Sequence, residues 1–112
     1  MRLTEIDFGG ALPVDGYGPG FFRIGGQVHE GALALDPGGL RAWAGWDDRA
    51  FRDIDVLLVG TGAEISYPPR AFREALEGLG IGVEFMASPA ACRSYNMLLA
   101  EGRRVGLAVL PV

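Results

Sequence analysis

The chain has 112 residues, of which 49 % are apolar and 21 % charged, with a net charge of −4. That length and balance predict a single domain over residues 1–112 with its own apolar core, and the acidity without any basic run argues against nucleic-acid binding by phosphate neutralisation. One Cys excludes an intramolecular disulfide, and no apolar window approaches the ~18–20 residues of a membrane-spanning helix.

The first ten residues hold Arg2, Glu5 and Asp7 and read as neither a signal nor a transit peptide, so a reducing cytoplasm is the expected compartment. Ile6 to Gly20 is punctuated by Gly and Pro and reads as loop, ending in Gly16-Tyr17-Gly18-Pro19-Gly20. Phe21–Ile24 reads as a strand, Gly25-Gly26 as a tight turn and Gln27–Leu35 as the return strand of an antiparallel hairpin, closed by Asp36-Pro37-Gly38-Gly39. Leu40 to Asp53 is mixed, with Asp47-Asp48 placed to cap a short helical turn through Phe51.

From Asp55 the pattern sharpens. Val56-Leu57-Leu58-Val59 is a continuous apolar run, as in a strand buried on both faces, and it ends in Gly60-Thr61-Gly62. Pro68-Pro69 opens a helix carrying Phe72, Leu76 and Leu79 at helical spacing, and Gly80 stops it. Ile81, Val83 and Phe85 alternate as a strand. A second helix spans Ser88–Glu101, with Ser88 as N-cap, Pro89 in the first helical position and Gly102 at the C-terminal stop. Val105–Leu110 is a last strand. The order strand–helix–strand–helix–strand predicts an α/β domain with a parallel or mixed central sheet and the hairpin added at its N-terminal side.

Candidate chemistry concentrates on the second helix and the Gly60–Gly62 turn. That turn lies at the carboxyl end of the central strand, where open α/β sheets bind ligands. It reads either as a tight structural turn or as a ligand-facing loop. It lacks the full dinucleotide fingerprint, since Ile65 follows three after Gly62, and with no Lys in the chain a Walker-type loop is excluded. The Gly16–Gly20 segment precedes a strand and reads as structural, with Tyr17 as a pocket wall. Cys92 sits in the first turn of its helix, where the dipole favours a thiolate. A nucleophile needs a base, however, and His29, the sole histidine, lies on the hairpin. An inert core thiol is the competing reading, and one Cys with one distant His makes no zinc site.

Cys92, Arg93 and Asn96 share one face of the helix, and Tyr95 lies on the packing side with Leu98 and Leu99. Asn is a poor mid-helix residue and is expected to bond something specific. Either Arg93 and Asn96 satisfy loop carbonyls of the Gly60–Gly62 turn, or they line a polar pocket facing it. Trp43, Trp46, Phe51 and Tyr67 read as core filling or, where exposed, as a protein-binding patch.

These segments together resemble a known family. Gly16-Tyr17-Gly18 with a following Phe, the strand ending in Gly60-Thr61-Gly62 and the run Gly80-Ile81-x-Val83-Glu84-x-Met86 carry part of the likeness. The specific part is Ala91-Cys92-Arg93-Ser94-Tyr95-Asn96-x-Leu98-Leu99-x-Glu101-Gly102-Arg103-x-Val105. The pattern is similar to the small single-domain proteins of unknown biochemical activity that include the mitochondrial respiratory complex I assembly factor three and the adipogenesis-associated domain protein. Ser94 stands where that family more often has Thr, and Ser88-Pro89 departs from its commoner Thr-Gly-like helix entry. The resemblance implies a compact three-layer α/β fold, no defined catalytic residues and no cofactor. It implies a non-enzymatic assembly role with complex I subunits or insertion machinery as partners, in the cytoplasm or held at the inner membrane through such a partner. The alternative is a binder of small anions, or an enzyme, using Tyr17, Gly60, Thr61, Gly62, Cys92, Arg93, Tyr95, Asn96 and Arg103 around a pocket between turn and helix.

Overall fold

The computed structural model describes residues 12–43, 45–46, 51 and 53–112. Its elements run β1 (Val14–Gly18), β2 (Phe21–Ile24), β3 (Gln27–Glu30), β4 (Leu33–Asp36), β5 (Gly39–Ala42), β6 (Val56–Thr61), α1 (Arg70–Gly78), β7 (Gly82–Met86), α2 (Ser88–Ala100) and β8 (Val105–Leu110). β1, β2 and β3 form an antiparallel meander, and the other five strands form a mixed sheet in the order β5-β4-β8-β6-β7. β6 lies parallel to both β7 and β8, whereas β4 runs antiparallel to β8 and β5. The expected mixed α/β architecture is therefore present.

Alternation along the strands sorts the core into two clusters. Leu58, Leu107 and Val109 pack with Ala91, Tyr95 and Leu99 of α2. Leu57, Val59 and Val83 pack with Phe72 and Leu76 of α1. Successive side chains point to opposite faces of a strand, so the helices cover opposite faces and the molecule has three layers. The meander closes the α2 side, contributing Val14, Phe22 and Ile24 to the same cluster.

Three expectations change. Val14–Gly18 is a strand rather than part of a loop. Its glycines made it look irregular, but the Phe21 ring lies over Gly18, where a Cβ would come within 2.4 Å of the ring. The return strand expected over Gln27–Leu35 is broken at Gly31, whose φ of +84° bends the chain out of the meander and into the large sheet. The strand does end at Asp36, whose Oδ1 accepts from Gly38 N at 2.8 Å while its second oxygen accepts from Arg41 at 2.8 Å, but the segment read as mixed from Leu40 opens in a strand, β5. The helical turn expected from Asp47-Asp48 lies outside the described residues.

Candidate functional site

Gly60, Thr61 and Gly62 form the carboxyl end of β6, as expected. In an open α/β sheet the crevice there is the usual ligand position. Here Ser88 fills it. Its hydroxyl accepts from Gly62 N at 2.9 Å and donates to the Leu110 carbonyl at 2.6 Å, and its N–H donates to Gly62 O at 2.7 Å. The Ser88 side chain is fully buried. Gly60 permits this approach, because a Cβ at that position would stand 2.7 Å from Ser88 Cα. Thr61 Oγ1 closes the loop beyond, donating to Glu64 O at 2.8 Å and accepting from Ser66 N at 2.9 Å.

Ser88 is therefore not the N-cap. It is the first helical residue, Ala87 holds the cap position, and no side chain caps α2. The hydroxyl is turned toward the strand ends of β6 and β8 instead of its own helix. Nothing in local cap chemistry separates the two uses. The available signal was Gly60, a glycine closing an otherwise apolar buried strand, which marks close approach of another backbone.

Asn96 and Tyr95 are tied to the meander. Asn96 Oδ1 accepts from Val14 N and its Nδ2 donates to Val14 O, each at 2.8 Å across 82 residues of sequence. The side-chain amide thus pairs with a backbone amide as a neighbouring strand would. The Tyr95 hydroxyl donates to Leu12 O at 2.8 Å. Burial, and then the Asp36 carboxylate, push the Tyr95 phenol above its ordinary range. Asn96 binds β1 rather than the Gly60–Gly62 carbonyls, so it does not satisfy that turn.

Cys92 lies in the core cluster. Burial pushes its thiol up to about 11 from an ordinary 9.0, against the opposing pull of the Arg93 charge. Desolvation therefore outweighs the Arg93 cation, and the group is a thiol at neutral pH. Arg93, Arg103 and Tyr17 are exposed, on α2, after its C-terminus and on β1 respectively. The nine residues singled out in the sequence are accordingly divided between the Gly60–Gly62 junction, a clamp on β1 made by Tyr95 and half-buried Asn96, the core position of Cys92 and outward-facing side chains. His29 lies elsewhere, in a cleft between β3 and β5 that Cys92 does not line. Among the described residues no group of three or more His, Cys, Asp or Glu side chains is placed to hold a metal, and no helix is long and apolar enough to cross a membrane.

Among the aromatic residues, Trp43 and Phe51 fill the core on the α1 side, whereas Tyr67 is 76 % exposed and stands edge-on to Phe85 at 6.3 Å.

A meander latched by Tyr95 and Asn96 onto a three-layer α/β sheet, with the strand-end crevice closed by a serine, defines a small mixed α/β domain. The chain belongs to the family described as protein of unknown function (DUF498/DUF598), whose model matches residues 14–110. An uncharacterized protein of Rhodobacter capsulatus is 49 % identical, covering 100 % of this chain and 94 % of that one. The human NADH dehydrogenase [ubiquinone] 1 alpha subcomplex assembly factor 3 is 30 % identical, covering 99 % of this chain and 67 % of the factor. A crystal structure of a Bordetella parapertussis protein superimposes with a TM-score of 0.82 at 32 % identity, covering 91 % of this chain and 97 % of that one. The solution structure of a Bordetella pertussis protein, described as an Mth938-like domain, gives a TM-score of 0.76 at 28 % identity, covering 99 % of this chain and 92 % of that one.

Proposed function

We propose that this chain is a non-enzymatic protein-binding module, acting as a single α/β domain, that helps to assemble respiratory complex I. It would work in the cytoplasm or at the inner membrane through its partner. The observation that carries this reading is the likeness to complex I assembly factor 3 over 99 % of the chain. The wiring of the polar residues of α2 supports it. Ser88, Tyr95 and Asn96 make their hydrogen bonds inside the fold, to Gly62, Leu110, Leu12 and Val14. Gly60, Thr61, Gly62, Cys92, Tyr95 and Asn96 are assigned to building the scaffold, and exposed Tyr17, Arg93 and Arg103 to contacting the partner. Tyr and Arg are among the residue types enriched in protein interfaces.

A strain lacking the gene should contain less assembled complex I on native gels, and the tagged protein should recover complex I subunits under mild detergent. Normal complex I together with no captured subunit would sink the proposal. One observation weighs against the anion-pocket alternative, since the Gly62 N–H, one of its backbone donors, is held by Ser88. Thermal-shift measurements with phosphates, nucleotides and carboxylates should give no shift, and a shift abolished by Arg93→Ala would revive that alternative.

A further inference from the structure

The two outer edges of the three-stranded meander differ. On β1, both outward backbone groups of Val14 are taken by the Asn96 amide. β3 has no such cover among the described residues. Across the Gly25-Gly26 turn, Ile24 pairs with Gln27 and Phe22 with His29, and Gly31 N donates to Gly20 O at 3.0 Å. Backbone groups alternate in direction along a strand, so Gln27, His29 and Gly31 bond toward β2. The N–H and C=O of Val28 and Glu30 therefore point away from it. The next carbonyl on that side, Ala32 O, accepts from Trp43 N at 3.2 Å. β5 thus runs beside β4, with Trp43 paired to Ala32. Before the bend at Gly31, the outward groups of Val28 and Glu30 have no backbone partner among the described residues.

Beside this edge lies a cleft of about 610 Å³, with Val28, His29 and Glu30 on one wall and Leu33, Leu40 and Arg41 on the other. Open edges are commonly blunted by Pro, Lys or a bulge. β3 is guarded by its shortness and the exposed charge of Glu30, yet it presents Val28 at 52 % exposure.

We infer that this edge takes an extended segment of a protein partner as an added strand, its main chain bonding Val28 and Glu30, an apolar side chain on Leu33 and Leu40, and a basic side chain beside Glu30. This rests on the protein-binding reading above. The charge preference follows from the surroundings. Arg41 already bridges Asp36 at 2.8 Å and stands 5.3 Å over the Phe51 ring, whereas the Glu30 carboxylate is exposed on a chain of net charge −4. A second copy of this chain fits less well. Antiparallel self-pairing centred on His29 sets Gly26 of the copy opposite Ala32, where Trp43 already pairs. Strand addition of this kind draws affinity from main-chain bonds and selectivity from alternate side chains.

Val28→Pro removes the outward N–H and spares the ladder to β2, since Pro is tolerated where the N–H points out of a sheet. Glu30→Lys reverses the charge without touching the backbone. Tagged full-length chain in its wild-type, Val28→Pro and Glu30→Lys forms would be expressed in the native host and tested for recovery of complex I subunits. In parallel, a phage library of random 12-residue peptides would be panned on the wild-type chain, and selected peptides tested by calorimetry and amide exchange. The expected result is recovery and peptide binding each weakened about tenfold by either substitution, with peptide slowing exchange at Val28 and Glu30 in the wild-type chain. Equal recovery by all three forms overturns the edge site and leaves the assembly role standing. If the wild-type chain recovers no complex I subunit, the assembly role falls and the peptides decide the edge. In that case it survives only if a selected peptide protects Val28 and Glu30.

Discussion

The two faces of the five-stranded sheet are closed by different physics. On the α2 face, directed hydrogen bonds from Ser88, Tyr95 and Asn96 tie the helix to the ends of β6 and β8 and to the entry and first residue of β1. On the α1 face the closure is mainly aromatic, with Trp43–Trp46 centroids at 5.0 Å and Trp46–Phe72 at 5.3 Å. The directed bond from α1 to the sheet is a long one, Arg73 Nη2 donating to Val83 O at 3.4 Å. Directed bonds specify one register, whereas packed rings tolerate changes of shape at a smaller cost. Substitutions should therefore rank by face.

The largest loss is expected for Gly60→Ala. Its methyl would stand 2.7 Å from Ser88 Cα and 2.8 Å from Val109 Cγ1, and the first of these is backbone that cannot rotate away. The first turn of α2 must retreat and release the bonds of Ser88. Overpacking and lost bonds together should cost about 3 kcal/mol or more in urea unfolding. A loss under about 1 kcal/mol would show that the junction is loose. Asn96→Leu comes next, at about 2 kcal/mol for two bonds broken at a half-buried site. Its effect should be local, with faster amide exchange at Val14 and little change at β6.

The same face sets an alkaline limit. The Cys92 thiol titrates at about 11 in the folded chain and 9.0 as its ordinary value. The unfolded chain therefore loses that proton first, and stabilisation present below about pH 9 drains away as pH rises toward 11. Cys92→Ala should remove the part of that decline that starts near pH 9, leaving the part that the raised Tyr95 phenol contributes from about pH 10 upward in a urea stability profile. A wild-type profile that stays level from pH 9 to 11 would contradict the burial of the thiol. A smaller effect, about 1 kcal/mol, is expected for Tyr95→Phe, which deletes the bond to Leu12 O and leaves that carbonyl without its partner.

Legibility in the sequence followed the range of the interactions. β6, α1, β7, α2 and β8 were readable because periodicity and Pro or Gly punctuation are local. β1 was not, since Gly16 and Gly18 read as loop until Phe21 is seen lying on Gly18. The break at Gly31 hides inside what reads as one return strand. Asn96 was recognisable as a residue needing a partner, but the partner, Val14, is 82 residues away and carries no pattern of its own. Ser88 is the opposite case, because a serine at a helix start has an obvious local use and its actual bond to Gly62 spans 26 residues. The residues that look most like a reactive site are thus the ones with the longest-range structural bonds. Buried polar groups are usually satisfied, and the fold satisfies those of Ser88 and Tyr95 through the bonds to Gly62, Leu110 and Leu12.

Trp43→Phe tests the contrast at its weakest point. Trp43 is buried at 6 % exposure, and its Nε1 is a buried donor with no hydrogen-bond partner among the described residues. Leaving such a donor unpaired costs about 1–3 kcal/mol, which Phe would recover by removing it. The smaller ring forfeits contact with Trp46 and Phe72 and leaves space, a loss of similar size. The two should offset, so the change in unfolding free energy should stay within about 1 kcal/mol of zero. Tyr95→Phe also removes one polar group from a buried aromatic, but that hydroxyl is bonded and its loss has nothing to offset it. If Trp43→Phe proves as costly as Asn96→Leu, the ring cluster is as position-specific as the α2 clamp, and the division between the two faces does not hold.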